Sequence, residues 1–162
     1  MTTAKLASNA ITQPSAVLPS DLKLGPVHLI VSDLERSVSW YERALGVHVH
    51  ERGSEVFLGD GSETSIVLHE DSAARRPGRH AGLYHYALLY PDRRELSLAV
   101  RRLAAAEAAV QGMSDHGTHE AIYLADPDGI GIELAADRPR DQWPDLVEMI
   151  KSGRVSSPLD LD

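Results

Sequence analysis

Twice along this chain a short β-branched or aromatic run carries a histidine and leads to an aspartate placed to cap a helix. In the first pass Val27-His28-Leu29-Ile30-Val31 runs to Asp33, five residues beyond the histidine. In the second, residues 83–90 carry His85 and run to Asp92, seven residues on. An aspartate at such a point offers a side-chain oxygen to the free N–H groups of a first helical turn. Apolar residues then recur at helical spacing, Leu34, Val38, Tyr41 and Leu45 in one half and Leu96, Ala99, Leu103 and Ala106 in the other. Gly46 stands where the first helix can close, and Asp92 and Glu95 have capping-box spacing. Identity between the halves is otherwise low, so the repeat lies in the pattern of elements.

Three strands are predicted after the first helix, at 47–52, 55–58 and 64–69, with Gly53-Ser54 and Gly59-Asp60-Gly61 in the turns. After the second helix they fall near 109–113, 121–125 and 130–135, with Asp126-Pro127-Asp128-Gly129 as a turn. Each half therefore reads β-α-β-β-β, and the chain as an α+β domain of two paired βαβββ modules, residues 24–70 and 83–136. A polar, Arg-rich stretch at 71–82 links them. Residues 1–23, rich in Thr, Ser, Ala and Pro, are expected to form a flexible arm. Residues 137–162, with Pro139, Trp143, Pro144 and Pro158, are expected to form a tail packed on the domain.

A length of 162 residues suits one domain with a substantial core. The formal charge of −8 speaks against a nucleic-acid or anionic-membrane surface, which needs clustered Lys and Arg. Without cysteine there are no disulfides, thiolate metal sites or cysteine nucleophiles. No apolar run approaches the roughly 20 residues that cross a bilayer, and the N-terminus lacks a signal-peptide core. These features predict a cytoplasmic protein with neither a nucleic-acid nor a membrane partner. The cluster Arg75-Arg76-Pro77-Gly78-Arg79 reads as a solvated loop, with attraction of an anionic substrate as the minor alternative. No GxSxG elbow, phosphate loop or HExxH is present.

Two histidines on strands and one later carboxylate are the ligand types of a facial triad, which holds a divalent ion on one side and leaves positions free on the other. Spacing alone does not show that His28, His85 and Glu133 meet, and a single strand histidine is more often a satisfied core or surface residue. Glu133 is the sharpest anomaly. It sits in the apolar run Gly131-Ile132-Glu133-Leu134-Ala135, where a carboxylate costs several kcal/mol unless paired, hydrogen-bonded or metal-bound. Small Gly131 and Ala135 leave room beside it; the plain alternative is a solvent-facing Glu on an edge strand. His69, Glu70, His116 and His119 are each unremarkable alone, but gathered with a tyrosine around one pocket they could shuttle protons. Tyr123 lies ten residues before Glu133. A five-residue loop at 126–130 places the two on one face, a four-residue loop on opposite faces, and the sequence leaves both registers open.

Residues 24–37, followed by Trp40-Tyr41 and Leu45-Gly46, resemble the opening of a glyoxalase/bleomycin-resistance/extradiol-dioxygenase module. Residues 82–89 and 121–133 are similar to the same vicinal-oxygen-chelate superfamily. Residues 136–143 and the ending Pro158-Leu159-Asp160-Leu161-Asp162 resemble the N-terminal half of bacterial catechol-2,3-dioxygenase-like proteins. The resemblance covers about residues 24–162 and implies one vicinal-oxygen-chelate domain with a cupped mixed sheet. It implies that His28, His85 and Glu133 hold Fe(II), or less often Mn(II), for extradiol cleavage of a catechol or related vicinal diol by O2. Tyr123 matches the family's active-site tyrosine, His69 falls near its acid/base histidine, and His116 resembles a histidine that supports the site. Ile130 departs from the usual Asn of that turn. Alternatives on the same scaffold are a glyoxalase, epimerase or thiol transferase, for which Glu70 would be a fourth ligand, or a metal-free binding protein. Pairing between chains is common in such modules, so a homodimer is expected.

Overall fold

The computed structural model describes residues 19, 21–76, 78 and 82–160. Most of the predicted arm and part of the Arg-rich linker, including Arg79, therefore lie outside the described residues, as do Leu161 and Asp162. In the first module β1 (Val27–Val31) leads to α1 (Leu34–Leu45), then β2 (His48–Arg52), β3 (Glu55–Gly59) and β4 (Thr64–Glu70). In the second, β5 (His85–Tyr90) leads to α2 (Arg93–Ala105), β6 (Val110–Asp115), β7 (His119–Ala125) and β8 (Gly131–Asp137). After these come a 3-10 turn (Arg140–Gln142), α3 (Leu146–Lys151) and a short β9 (Ser157–Pro158). The strands form two sheets, β1-β4-β3-β2 and β5-β8-β7-β6-β9, so each βαβββ unit builds its own. Within each, the first strand pairs in parallel with the last and the remainder are antiparallel.

Both predicted caps form. Asp33 Oδ1 accepts from Arg36 N–H at 2.9 Å, and Asp92 Oδ1 from Glu95 N–H at 2.8 Å. Gly46 closes α1 at φ 75°, in the left-handed region that costs glycine little. The helix stripes turn inward: Val38, Tyr41, Leu45, Leu96, Ala99 and Leu103 are buried against Leu29, Val31, Leu58, Ile66, Ile122, Leu134 and their neighbours in one continuous core.

The modules join through this helical side. Asp128 accepts from the Ser32 amide and hydroxyl at 3.1 and 2.6 Å and from Arg36 Nη2 at 2.7 Å. The buried Tyr41 hydroxyl donates to Asp126 Oδ2 at 3.0 Å and accepts from the Tyr86 hydroxyl at 3.3 Å. Burial raises both Tyr41 and Asp126 above their usual ranges; Tyr86 and then Asp126 add to the rise at Tyr41, whereas the hydrogen bond from Tyr41 opposes it at Asp126. Asp128 is held below the carboxylate range even against its own burial, because Ser32 and Arg36 favour its charged form. Beyond the second module β9 pairs with β6, and the Arg93 guanidinium binds the buried Glu120 carboxylate and donates to the carbonyl of Asp160. No helix among the described residues is long and apolar enough to cross a membrane.

Candidate metal centre

Strand alternation divides each sheet into two faces. Leu29, Val31, Tyr86, Ile122, Leu124, Ile132 and Leu134 turn toward the helices. The opposite face carries His28 and His69 in the first module and His85, Tyr123 and Glu133 in the second. The β7–β8 register pairs Tyr123 with Glu133 and Ala125 with Gly131, so the loop between them has five residues, 126–130. Asp126 fixes that loop by accepting from the amides of Asp128 and Ile130 at 2.9 and 2.8 Å.

Glu133 is buried, and its partners explain how a carboxylate is tolerated there. His85 Nε2 lies 2.9 Å from Oε2. The Tyr123 hydroxyl donates to Oε1 at 3.0 Å, and His119 Nε2 lies 3.5 Å from the same oxygen. Gly131 serves a different purpose from the expected room for a ligand. A Cβ there would come within 2.4 Å of the Tyr84 carbonyl oxygen and 2.9 Å of His85 Cβ, so β5 already fills the space. That close approach sets His85 beside Glu133.

His116 Nε2 is 3.0 Å from the Tyr123 hydroxyl, and its Nδ1 is 3.0 Å from the Val155 carbonyl, which can only accept. The tyrosine has one proton. All three bonds from Val155 through His116 and Tyr123 to Glu133 are satisfied together only when His116 carries protons on both ring nitrogens. Burial first, and then Glu133, push the Tyr123 hydroxyl up to about 12, so it stays a donor at neutral pH. The His119 ring stacks on that of His116 at 4.7 Å.

In the first module His28 Nδ1 is 2.9 Å from His69 Nε2, and His69 Nδ1 is 3.1 Å from Glu55 Oε1. Glu70, the candidate fourth ligand, instead accepts from the Leu34 amide at 3.0 Å and helps to cap α1. The sequence reading singled out neither Glu55 nor a contact of His119 with Glu133. Alternation from Tyr123 back through Ala121 to His119 is the signal that would have placed His119 on the site face.

The donor chemistry suits a divalent cation: two imidazoles and a carboxylate. The His85–Glu133 separation of 2.9 Å matches the spacing of about 3 Å between adjacent ligand atoms around a six-coordinate ion. His28 is turned to His69, and among the described residues no three His, Asp or Glu side chains are arranged to hold a metal ion within one chain. Two donors are therefore preformed, and the third stands on the other module. A recess of about 600 Å³ lined by residues including Pro144, Met149 and Arg154 meets this centre only through His116.

Comparison with known proteins agrees with this architecture. The family described as the glyoxalase/bleomycin resistance protein/dioxygenase superfamily matches residues 23–134. A catechol-2,3-dioxygenase of Bacillus subtilis (strain 168) is 43% identical over 128 residues, which are 76% of this chain and 44% of that protein. The chain thus spans under half the length of this curated relative. A glyoxalase/dioxygenase from Nostoc punctiforme superimposes with a TM-score of 0.63 at 22% identity, covering 79% of this chain and all of that one. A fosfomycin resistance protein from Listeria monocytogenes gives 0.57 at 19% identity, covering 75% and 98%. A lactoylglutathione lyase from Agrobacterium tumefaciens gives 0.54 at 20% identity, covering 77% and 96%. At such identities these structures speak for the fold alone.

Proposed function

The chain belongs to the glyoxalase/bleomycin resistance protein/dioxygenase superfamily, and on that premise we propose that it is a metal-dependent extradiol dioxygenase cleaving a catechol or related vicinal diol. The observation that carries this reading is the buried Glu133 carboxylate held between His85 Nε2 and the Tyr123 hydroxyl. His28, His85 and Glu133 are the proposed ligands. These residues would hold Fe(II), or Mn(II), which would supply the Lewis acidity and dioxygen chemistry that the cleavage needs. The ring opens beside the diol, with the diol as reductant and O2 as oxidant.

The protein's own part is binding and proton handling. Tyr123, protonated at neutral pH, presents a hydroxyl proton at the edge of the ligand set and can turn it from Glu133 Oε1 to a substrate oxygen. His116 Nε2 stands 3.0 Å behind that hydroxyl and is placed to replace the proton. His69 is the proposed acid/base residue of the first module. The engagement of Glu70 Oε1 by the Leu34 amide at the start of α1 favours this reading over a lyase or isomerase that uses Glu70 as fourth ligand.

The proposed partners are a small aromatic diol, O2 and a second copy of this chain. Strands β1 and β5 each form the outer edge of a sheet. Along and beside these edges Ile30, Leu83, Tyr84 and Leu89 are exposed. An unpaired edge bearing apolar side chains is a template for association.

Anaerobic loading with Fe(II) and Mn(II), followed by oxygen uptake with a panel of catechols, tests the reading. Metal-dependent uptake with a yellow ring-opened product is expected, and Glu133→Ala should bind no metal. A metal-loaded protein that consumes no oxygen with any catechol yet turns over a methylglyoxal–thiol adduct would overturn the dioxygenase assignment.

A further inference from the structure

Among the described residues only Nδ1 of His28 has a partner, and the groups behind it determine which tautomer of the ring is present. Glu55 opens β3, directly across from His69 on β4, and His69 in turn lies across from Ile30 on β1. The three side chains form a line on one face. Glu55 Oε1 is 3.1 Å from His69 Nδ1, His69 Nε2 is 2.9 Å from His28 Nδ1, and the two rings stack at 5.2 Å. We propose that Glu55 is a positioning residue, which sets the tautomers of His69 and His28 so that His28 presents an unprotonated Nε2 to a divalent metal. The last clause rests on the metal reading above; the tautomer order does not.

Proton counting gives the direction. An ionised carboxylate only accepts, so the neutral His69 ring carries its proton on Nδ1, facing Glu55. Its Nε2 then holds only a lone pair. His28 must therefore carry its proton on Nδ1 to make the 2.9 Å contact. The neutral His28 ring is left with a free lone pair on Nε2, the form in which imidazole binds a metal. Without the carboxylate, either tautomer pair joins the two rings equally well, and one of them puts the proton on the nitrogen that should bind. Buttressing of a ligand histidine through its other nitrogen is a common device, and its loss costs about 10–100-fold in metal affinity. Here the carboxylate acts through an intervening imidazole.

Two variants and two readouts test this. Long-range proton–nitrogen correlation spectra of the metal-free protein report each tautomer, and Mn(II) titration followed by electron paramagnetic resonance reports affinity. Wild type should show both His28 and His69 protonated on Nδ1. Glu55→Ala should shift at least one ring toward the Nε2-protonated form and weaken Mn(II) binding about tenfold or more. Glu55→Gln, whose amide oxygen still accepts from His69, should keep the wild-type tautomers and most of the affinity. Unchanged tautomers in folded Glu55→Ala overturn the relay, whatever the metal does. Shifted tautomers in a protein whose wild type binds no Mn(II) uphold the relay and overturn the metal reading instead.

Discussion

Glu133, Tyr123 and His116 form one hydrogen-bonded line, and removing the hydroxyl in its middle costs each end one hydrogen bond but leaves each another partner. Tyr123→Phe keeps the ring against His85 and leaves the His85–Glu133 pair intact. It should bind the wild-type complement of metal while turnover falls about 100-fold, the lower range for loss of a positioned proton donor. Unchanged turnover would remove Tyr123 from the mechanism. With the hydroxyl pushed up to about 12, no tyrosine-dependent limb should appear in the wild-type pH–rate profile below about pH 11. Legibility at this scale followed chemical contrast. Glu133 stands out in the sequence because a carboxylate interrupts an apolar strand. Glu55 does not, because the first residue of a strand is an ordinary place for a solvated Glu. Only the cross-strand pairing with His69 gives it a partner.

Helices α1 and α2 were readable from capping residues and apolar spacing, whereas the short α3 (Leu146–Lys151), in the stretch read only as a tail, was not. Helix α2 ends in a Schellman arrangement, with Ala108 N–H bonded to Leu103 O and Glu107 N–H to Ala104 O. The residue in the left-handed position is Glu107, at φ 52°, so no glycine marks that end in the sequence. The β7–β8 register was open for a similar reason: four- and five-residue loops are both compatible with Asp126-Pro127-Asp128-Gly129. Inward-turned Asp126 selects five by accepting two loop amides. The same turn ties the modules together, and its pH response has a definite sign. Ser32 and Arg36 hold the folded Asp128 below its ordinary range. This stabilisation is therefore complete above the unfolded carboxylate value of about 4 and is lost as pH falls through the lower folded one. Asp128→Asn should lower stability at neutral pH by about 1 kcal/mol, a modest figure because Arg36 is partly exposed. In urea unfolding the gap between variant and wild type should narrow toward about pH 3. A gap that stays constant with pH would mean that the charge on Asp128 contributes nothing.

At the scale of the molecule, the repeat places one candidate ligand near the start of each module's first strand, and the third on the last strand of the second. That much was legible. Whether the donors meet is a matter of how modules pair, which no single-chain pattern encodes. In one chain the modules meet through α1, α2 and the 126–130 turn, while β1 and β5 remain edges and His28 stays apart from the His85–Glu133 pair. A two-fold dimer in which the β1 edge of each copy meets the β5 edge of the other would cover both apolar edges and complete two sites, since an isologous contact is made twice. Complementation tests this directly. His28→Ala and Glu133→Ala should each bind no Mn(II) alone. When the two variants are unfolded, mixed in equal amounts and refolded together, half of the dimers are mixed. Each mixed dimer has one site with all three ligands and one with His85 alone, so about one quarter of the wild-type metal should return. If the three ligands instead close within a single chain, every chain in the mixture lacks one of them, and no metal returns at any ratio.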